Sequence, residues 1–150
     1  MGADSKNQGK NMCCQHKIYD IIRWKIRKLY SMGLGNEKGG FMSFTIQDMM
    51  LTAETRYEMK FLAGKNGWSN SISWVHLLED TTIIQNFWGK ELAVTTGLGF
   101  PEKEDWMHLA QQLNRYHASG LVINVGQYIY EVPEELKAYC DENDLPLLTV

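Results

Sequence analysis

Three short apolar runs, residues 92–96, 121–125 and 147–150, constrain this chain more than any other feature, because two helix-length segments separate them. Strands that are apolar along their whole length need both faces covered, and a helix between two strands leaves room for parallel pairing. Pro101 opens the first helix, and Glu102, Glu104 and Asp105 suit the positive end of its dipole. Trp106, Leu109, Ala110, Leu113 and Tyr116 form its apolar stripe, and Gly120 is expected to close it. Pro133 opens the second helix, Leu136, Tyr139 and Cys140 share one face, and Asn143-Asp144 ends it. The pattern predicts β-α-β-α-β, with right-handed crossovers that bring the carboxyl ends of the strands to one edge.

The preceding segment reads less regularly. Thr45 with Asp48 makes a capping-box pattern, and Ile46, Met49 and Met50 lie on one helical face. Met59 to Ala63 is a short extended run, followed by the turn signal Gly64-Lys65-Asn66-Gly67. Ile72, Trp74, His76 and Leu78 then alternate with Ser71, Ser73, Val75 and Leu77, as in a strand. Asp80 is placed to cap a short helix carrying Ile83, Ile84, Phe87 and Trp88, which Gly89 would end. The expected fold class is α/β: a small parallel or mixed sheet flanked by helices. An N-terminal helix and a β-hairpin-like segment precede the β-α-β-α-β half.

Charge divides the chain near residue 42. The first 42 residues hold eight Lys or Arg against three Asp or Glu, although the whole chain of 150 residues is at −3. Two parts follow: a basic arm, residues 1–42, outside the core or not native, and a body, residues 43–150. In the arm, Ile18, Ile21, Ile22, Ile26, Leu29 and Tyr30 recur at helical spacing among basic residues. Such a helix suits a membrane surface or a partner. Codons for Glu37 to Gly40 can spell a purine-rich ribosome-binding site before Met42, which makes Met42 a start. No apolar run reaches the ~20 residues of a membrane span, and no signal peptide is visible. Cys13 and Cys14 are adjacent and Cys140 is far away, which makes no disulfide framework, so the expected location is cytoplasmic.

Few residues offer chemistry. His108 and His117 are nine positions apart on one helix and face opposite sides, so they share no metal. Cys13-Cys14-Gln15-His16 is too compressed for a zinc site. No Gly-x-Ser-x-Gly elbow is present, and Cys140 falls on an apolar face. Gly97-Leu98-Gly99 sits between strand and helix like a phosphate loop but lacks the third glycine. Neither a metal, a cofactor nor a catalytic residue is expected. Polar residues gather instead at strand ends, Thr95-Thr96-Gly97 after one run and Gly126-Gln127-Tyr128 after the next. A parallel sheet places both at the edge where ligands bind. Trp74 and His76 share a strand face; His76 alone reads as a core histidine. The candidate ligand-binding set is Trp74, His76, Glu79, Thr95, Thr96, Gly97, Gly126 and Tyr128.

These residues carry a family pattern. Phe44 to Met50, Ser73-Trp74-Val75-His76 with Glu79, and Gly89 to Gly99 resemble the N-terminal domain of the purine-catabolism regulator (PucR-like) family of bacterial transcription regulators. So do Val125 to Tyr128, Val132 to Leu136 and Leu145 to Val150. The resemblance covers about residues 43–150, and Glu91-Leu92-x-x-Thr95-Thr96-Gly97 is its most specific part. Asn124 departs from the pattern where an apolar residue or glycine is expected. The resemblance implies a ligand-sensing module for a small effector, purine-like or another nitrogen compound, and no enzyme activity. It implies DNA contact only through a C-terminal helix-turn-helix that this chain lacks; the expected partners are a small effector and a possible homodimer, and, from the lack of a spanning apolar run, no membrane. The rivals are a small enzyme using Thr96, His76 and Glu79 as acid–base groups, and a dimerisation module without ligand.

Overall fold

A computed structural model of the chain describes residues 43–150 and Asp20. The basic helix of the arm, the Cys13–His16 cluster and the Met42 start lie outside the described residues, as do the side chains of residues 52–57.

The fold is mixed α/β, a five-stranded sheet in the order β1-β5-β4-β3-β2 with helices on both faces. Its strands are β1 (Lys60–Ala63), β2 (Trp74–Leu77), β3 (Glu91–Thr95), β4 (Gly120–Ile123) and β5 (Leu147–Thr149). Its helices are α1 (Ile46–Tyr57), α2 (Lys103–Arg115) and α3 (Glu134–Glu142). β2 to β5 run parallel, and β1 joins β5 antiparallel. The predicted β-α-β-α-β half is present as β3-α2-β4-α3-β5. Every residue of these three strands is buried, as the continuous apolar runs require.

Alternation along the strands sorts the core into two layers. Ala93, Leu121, Ile123 and Leu147 meet Trp106, Leu109 and Leu113 of α2 and Leu136 and Cys140 of α3. Leu92, Val94, Val122 and Leu148 face the other way, onto Ile46, Met49 and Met50 of α1. The Thr45 capping box forms: Asp48 N–H donates to Thr45 Oγ1 at 3.2 Å, and Thr45 N–H donates to Asp48 at 2.9 Å. Among the described residues, no helix is long and apolar enough to cross a membrane.

Three local expectations are corrected. The hairpin-like segment is not a hairpin, because β1 and β2 occupy opposite edges of the sheet. The turn after β1 instead opens a short 3-10 helix at Lys65–Gly67 that sends the chain across. Asp80 caps no α-helix; its carboxylate accepts from Thr82 N–H at 2.8 Å in a local turn, ahead of a 3-10 helix at Ile84–Asn86. α2 ends before Gly120, where His117 takes the left-handed conformation at φ 57. Gly120 begins β4 instead, and a Cβ there would lie 3.0 Å from the Pro146 carbonyl oxygen.

Candidate functional site

The parallel strands end at an edge formed by Glu79, Thr95 to Gly99 and the loop after β4. Glu79 organises it. Its carboxylate accepts from Thr96 Oγ1 at 2.7 Å, Thr96 N–H at 3.0 Å, Thr95 Oγ1 at 3.3 Å and Gly99 N–H at 3.4 Å. The two threonine oxygens accept in turn from Gly97 N–H at 3.0 Å and Leu98 N–H at 3.3 Å. A loop that turns its N–H groups inward resembles an anion-binding nest. Here the anion is the protein's own carboxylate, so the phosphate-loop likeness of Gly97-Leu98-Gly99 leads to no phosphate site.

Glu79, Thr95, Thr96 and Gly97 are therefore brought together, but the threonine hydroxyls are engaged in holding the loop. Gly97 has φ 87, and a Cβ there would meet Trp106 at 3.1 Å and Ile129 at 3.2 Å. The two strand-end loops thus touch, and Gly126, exposed at φ 104, turns the second of them. Tyr128 stands half exposed on that loop, and Leu98 and Tyr130 are exposed nearby in sequence. The strand-end segment singled out in the sequence includes Gln127, which the candidate set left out; its amide oxygen is buried with no partner among the described residues. Asn124, the departure from the family pattern, is buried at the end of β4, where its N–H donates to the Thr95 carbonyl at 2.8 Å.

Trp74 and His76 lie elsewhere, on the edge strand β2. The His76 ring stacks on Phe87, centroids 5.0 Å apart. Trp74 pairs in register with Glu91. Glu91 is buried; one of its oxygens accepts from Trp88 N–H at 2.8 Å, and the other has no partner among the described residues. The signal for Glu91 was a lone acid opening an otherwise apolar strand. Trp74, Leu77 and Ile83 are part exposed and Trp88 is 98% exposed. Burial pushes the Cys140 thiol up to about 12, so it remains a protonated core side chain. No cluster among the described residues is suited to a metal ion.

A family model, the purine catabolism regulatory protein-like family (PucR), matches residues 49–150. The chain belongs to the PucR family. No curated protein matches it. Among solved structures it is similar to the CBS and DRTGG domains of the regulatory region of Clostridium perfringens pyrophosphatase, complexed with the activator diadenosine tetraphosphate. That likeness has a TM-score of 0.49 and 10% identity, over 67% of this chain and 40% of the other. The PucR chain thus spans less than half of that structure.

A pH dependence of stability is expected from the edge strand of this PucR domain. Burial against Phe87 lowers the His76 pKa below its ordinary 6.5, partly offset by the Glu91 charge. The unfolded chain then binds the proton more readily. The contribution of His76 to stability is fully present above 6.5 and is lost as pH falls below it. Thermal melts at about pH 7.5 and about pH 5.5 should show a smaller acid loss for His76→Gln than for the parent. Equal losses would rule out this source.

Proposed function

We propose that this domain senses a small, neutral, nitrogen-containing effector, purine-like or a ureide, for a cytoplasmic bacterial regulator of nitrogen-compound catabolism. DNA is then contacted only by a C-terminal helix-turn-helix domain beyond this chain. One observation carries the reading: Gln127, whose amide oxygen is buried with no partner among the described residues, precedes the half-exposed Tyr128 in the loop at the carboxyl edge of the parallel strands. An unmade hydrogen bond on a buried acceptor costs about 1–3 kcal/mol, which a ligand N–H recovers. Tyr128 offers a flat face for a heterocycle. Gly126 lets the backbone approach, and the loop held by Glu79, Thr95, Thr96 and Gly97 supplies a fixed wall. With its N–H groups already taken by Glu79 and the two threonine oxygens, that wall favours a neutral ligand over an anion. Trp74 and His76 belong to the open edge of β2, which suits a homodimer contact.

A thermal-shift screen of the full chain with purine bases, nucleosides and ureides tests this. Saturation at about 100 times the dissociation constant adds about 2.7 kcal/mol of stability. Tyr128→Ala should weaken the stabilising compound about tenfold, or about 1.4 kcal/mol. No stabilisation by any class would refute ligand sensing here, and turnover of a stabilising compound would favour an enzyme.

A further inference from the structure

The opposite edge of the sheet carries a second feature. A polar cavity of about 270 Å³ lies where the chain enters the parallel strands. Its walls come from Asn70 before β2, Lys90 before β3, Asn114 and His117 before β4, and Asp144 before β5. The floor is hydrogen-bonded: Lys90 N–H donates to the His117 carbonyl at 2.9 Å, and Asn70 Nδ2 donates to the Ser119 carbonyl at 3.2 Å. Asn114 Nδ2 donates to Asn143 Oδ1 at 3.2 Å, and Asn66 Nδ2 donates to Asp144 Oδ1 at 2.9 Å. Lys90, His117 and Asp144 are exposed at its rim, where the Lys90 ammonium, the His117 ring and the second Asp144 oxygen have no protein partner among the described residues.

The backbone at the rim is unusual. Lys90, His117 and Asp144 all hold left-handed conformations, at φ 70, 57 and 54. Glycine takes that conformation without the cost that a Cβ imposes. His117 and Asp144 are the left-handed residues that close α2 and α3, with Ala118 N–H donating to the Leu113 carbonyl at 2.9 Å and Leu145 N–H to the Cys140 carbonyl at 3.0 Å. These caps, with the turn at Lys90, set three side chains around one cavity.

We propose that this cavity binds a small free amino acid as a zwitterion. The carboxylate pairs with Lys90 and His117. The ammonium group donates to the free oxygen of Asp144 and to the amide oxygens of Asn70 and Asn114. A volume just below that of drug-sized pockets suits a metabolite of this size. The site is separate from the one proposed around Tyr128, which lies at the other end of the strands.

Isothermal titration of the full chain with L-asparagine tests the site, with acetate and methylammonium as half-ligands. L-asparagine should bind, and each half-ligand should bind at least tenfold more weakly. Lys90→Asn keeps a residue tolerant of positive φ and removes the cation. It should weaken L-asparagine at least tenfold while its melting temperature stays within a few degrees of the parent's. His117→Gly relieves strain, so it should melt at or above the parent temperature and also bind more weakly. Undetectable binding of L-asparagine to the parent would overturn the proposal. So would acetate binding equally well, or full affinity in both variants.

Discussion

Glu79→Ala is expected to destabilise the domain by about 3 kcal/mol and to loosen the loop from Thr95 to Gly99. The size follows from an account of backbone donors. Thr96 and Gly99 give their N–H groups to the Glu79 carboxylate, and Gly97 and Leu98 give theirs to Thr95 Oγ1 and Thr96 Oγ1. Those hydroxyls are themselves oriented by donating to Glu79. Removing the carboxylate takes the acceptor from two N–H groups, of Thr96 and exposed Gly99, and from the Thr95 and Thr96 hydroxyls, on a loop whose Thr95, Thr96 and Gly97 are buried. Glu79→Gln should recover part of the loss: its oxygen still accepts, but its amide turns two N–H groups toward other donors. Chemical denaturation of the three proteins gives the ranking, and hydrogen exchange at Thr96 to Gly99 localises it. A Glu79→Ala loss under about 1 kcal/mol would show that solvent replaces the carboxylate at these donors. The same variant bears on function, since the loop is a wall of the proposed effector site.

A larger effect is expected at Gly64. Gly64→Ala should cost more than about 4 kcal/mol, a fall in melting temperature of about 15 °C or outright unfolding. Gly64 has φ 75, and a Cβ there would lie 2.1 Å from the Leu145 carbonyl oxygen. That oxygen belongs to the segment entering β5, the strand that β1 pairs with, so relief would come only by parting the two strands. The move would also break the 2.7 Å bond from Gly64 N–H to Asp141 Oδ1, which fastens α3 to the same turn. Gly89→Ala is the comparison: its φ is 97, but the nearest atom to an added Cβ is 3.7 Å away. It should lose only the conformational part, about 1–2 kcal/mol. Circular dichroism melts of both variants separate the two contributions, and similar losses would show that the contact at Leu145 yields easily.

What the sequence alone determined about this PucR domain was local or periodic. The runs at 92–96, 121–125 and 147–150 are strands because only a doubly covered sheet buries such segments. The stripe from Trp106 to Leu113 is a helix face because its spacing matches the helical turn. Capping at Thr45 and the acids after Pro101 are read within four residues. Tertiary structure decided whatever depends on partners distant in the chain. Ala63 and Leu147 meet across an antiparallel edge that no turn between β1 and β2 announces. The Thr95 and Thr96 hydroxyls looked available for a ligand until Glu79, sixteen and seventeen residues earlier, supplied their acceptor. The cavity at the strand entrances draws on loops before four different strands, so its residues share no motif. Two of them, His117 and Asp144, stand there because each is the left-handed residue that closes a helix, α2 or α3.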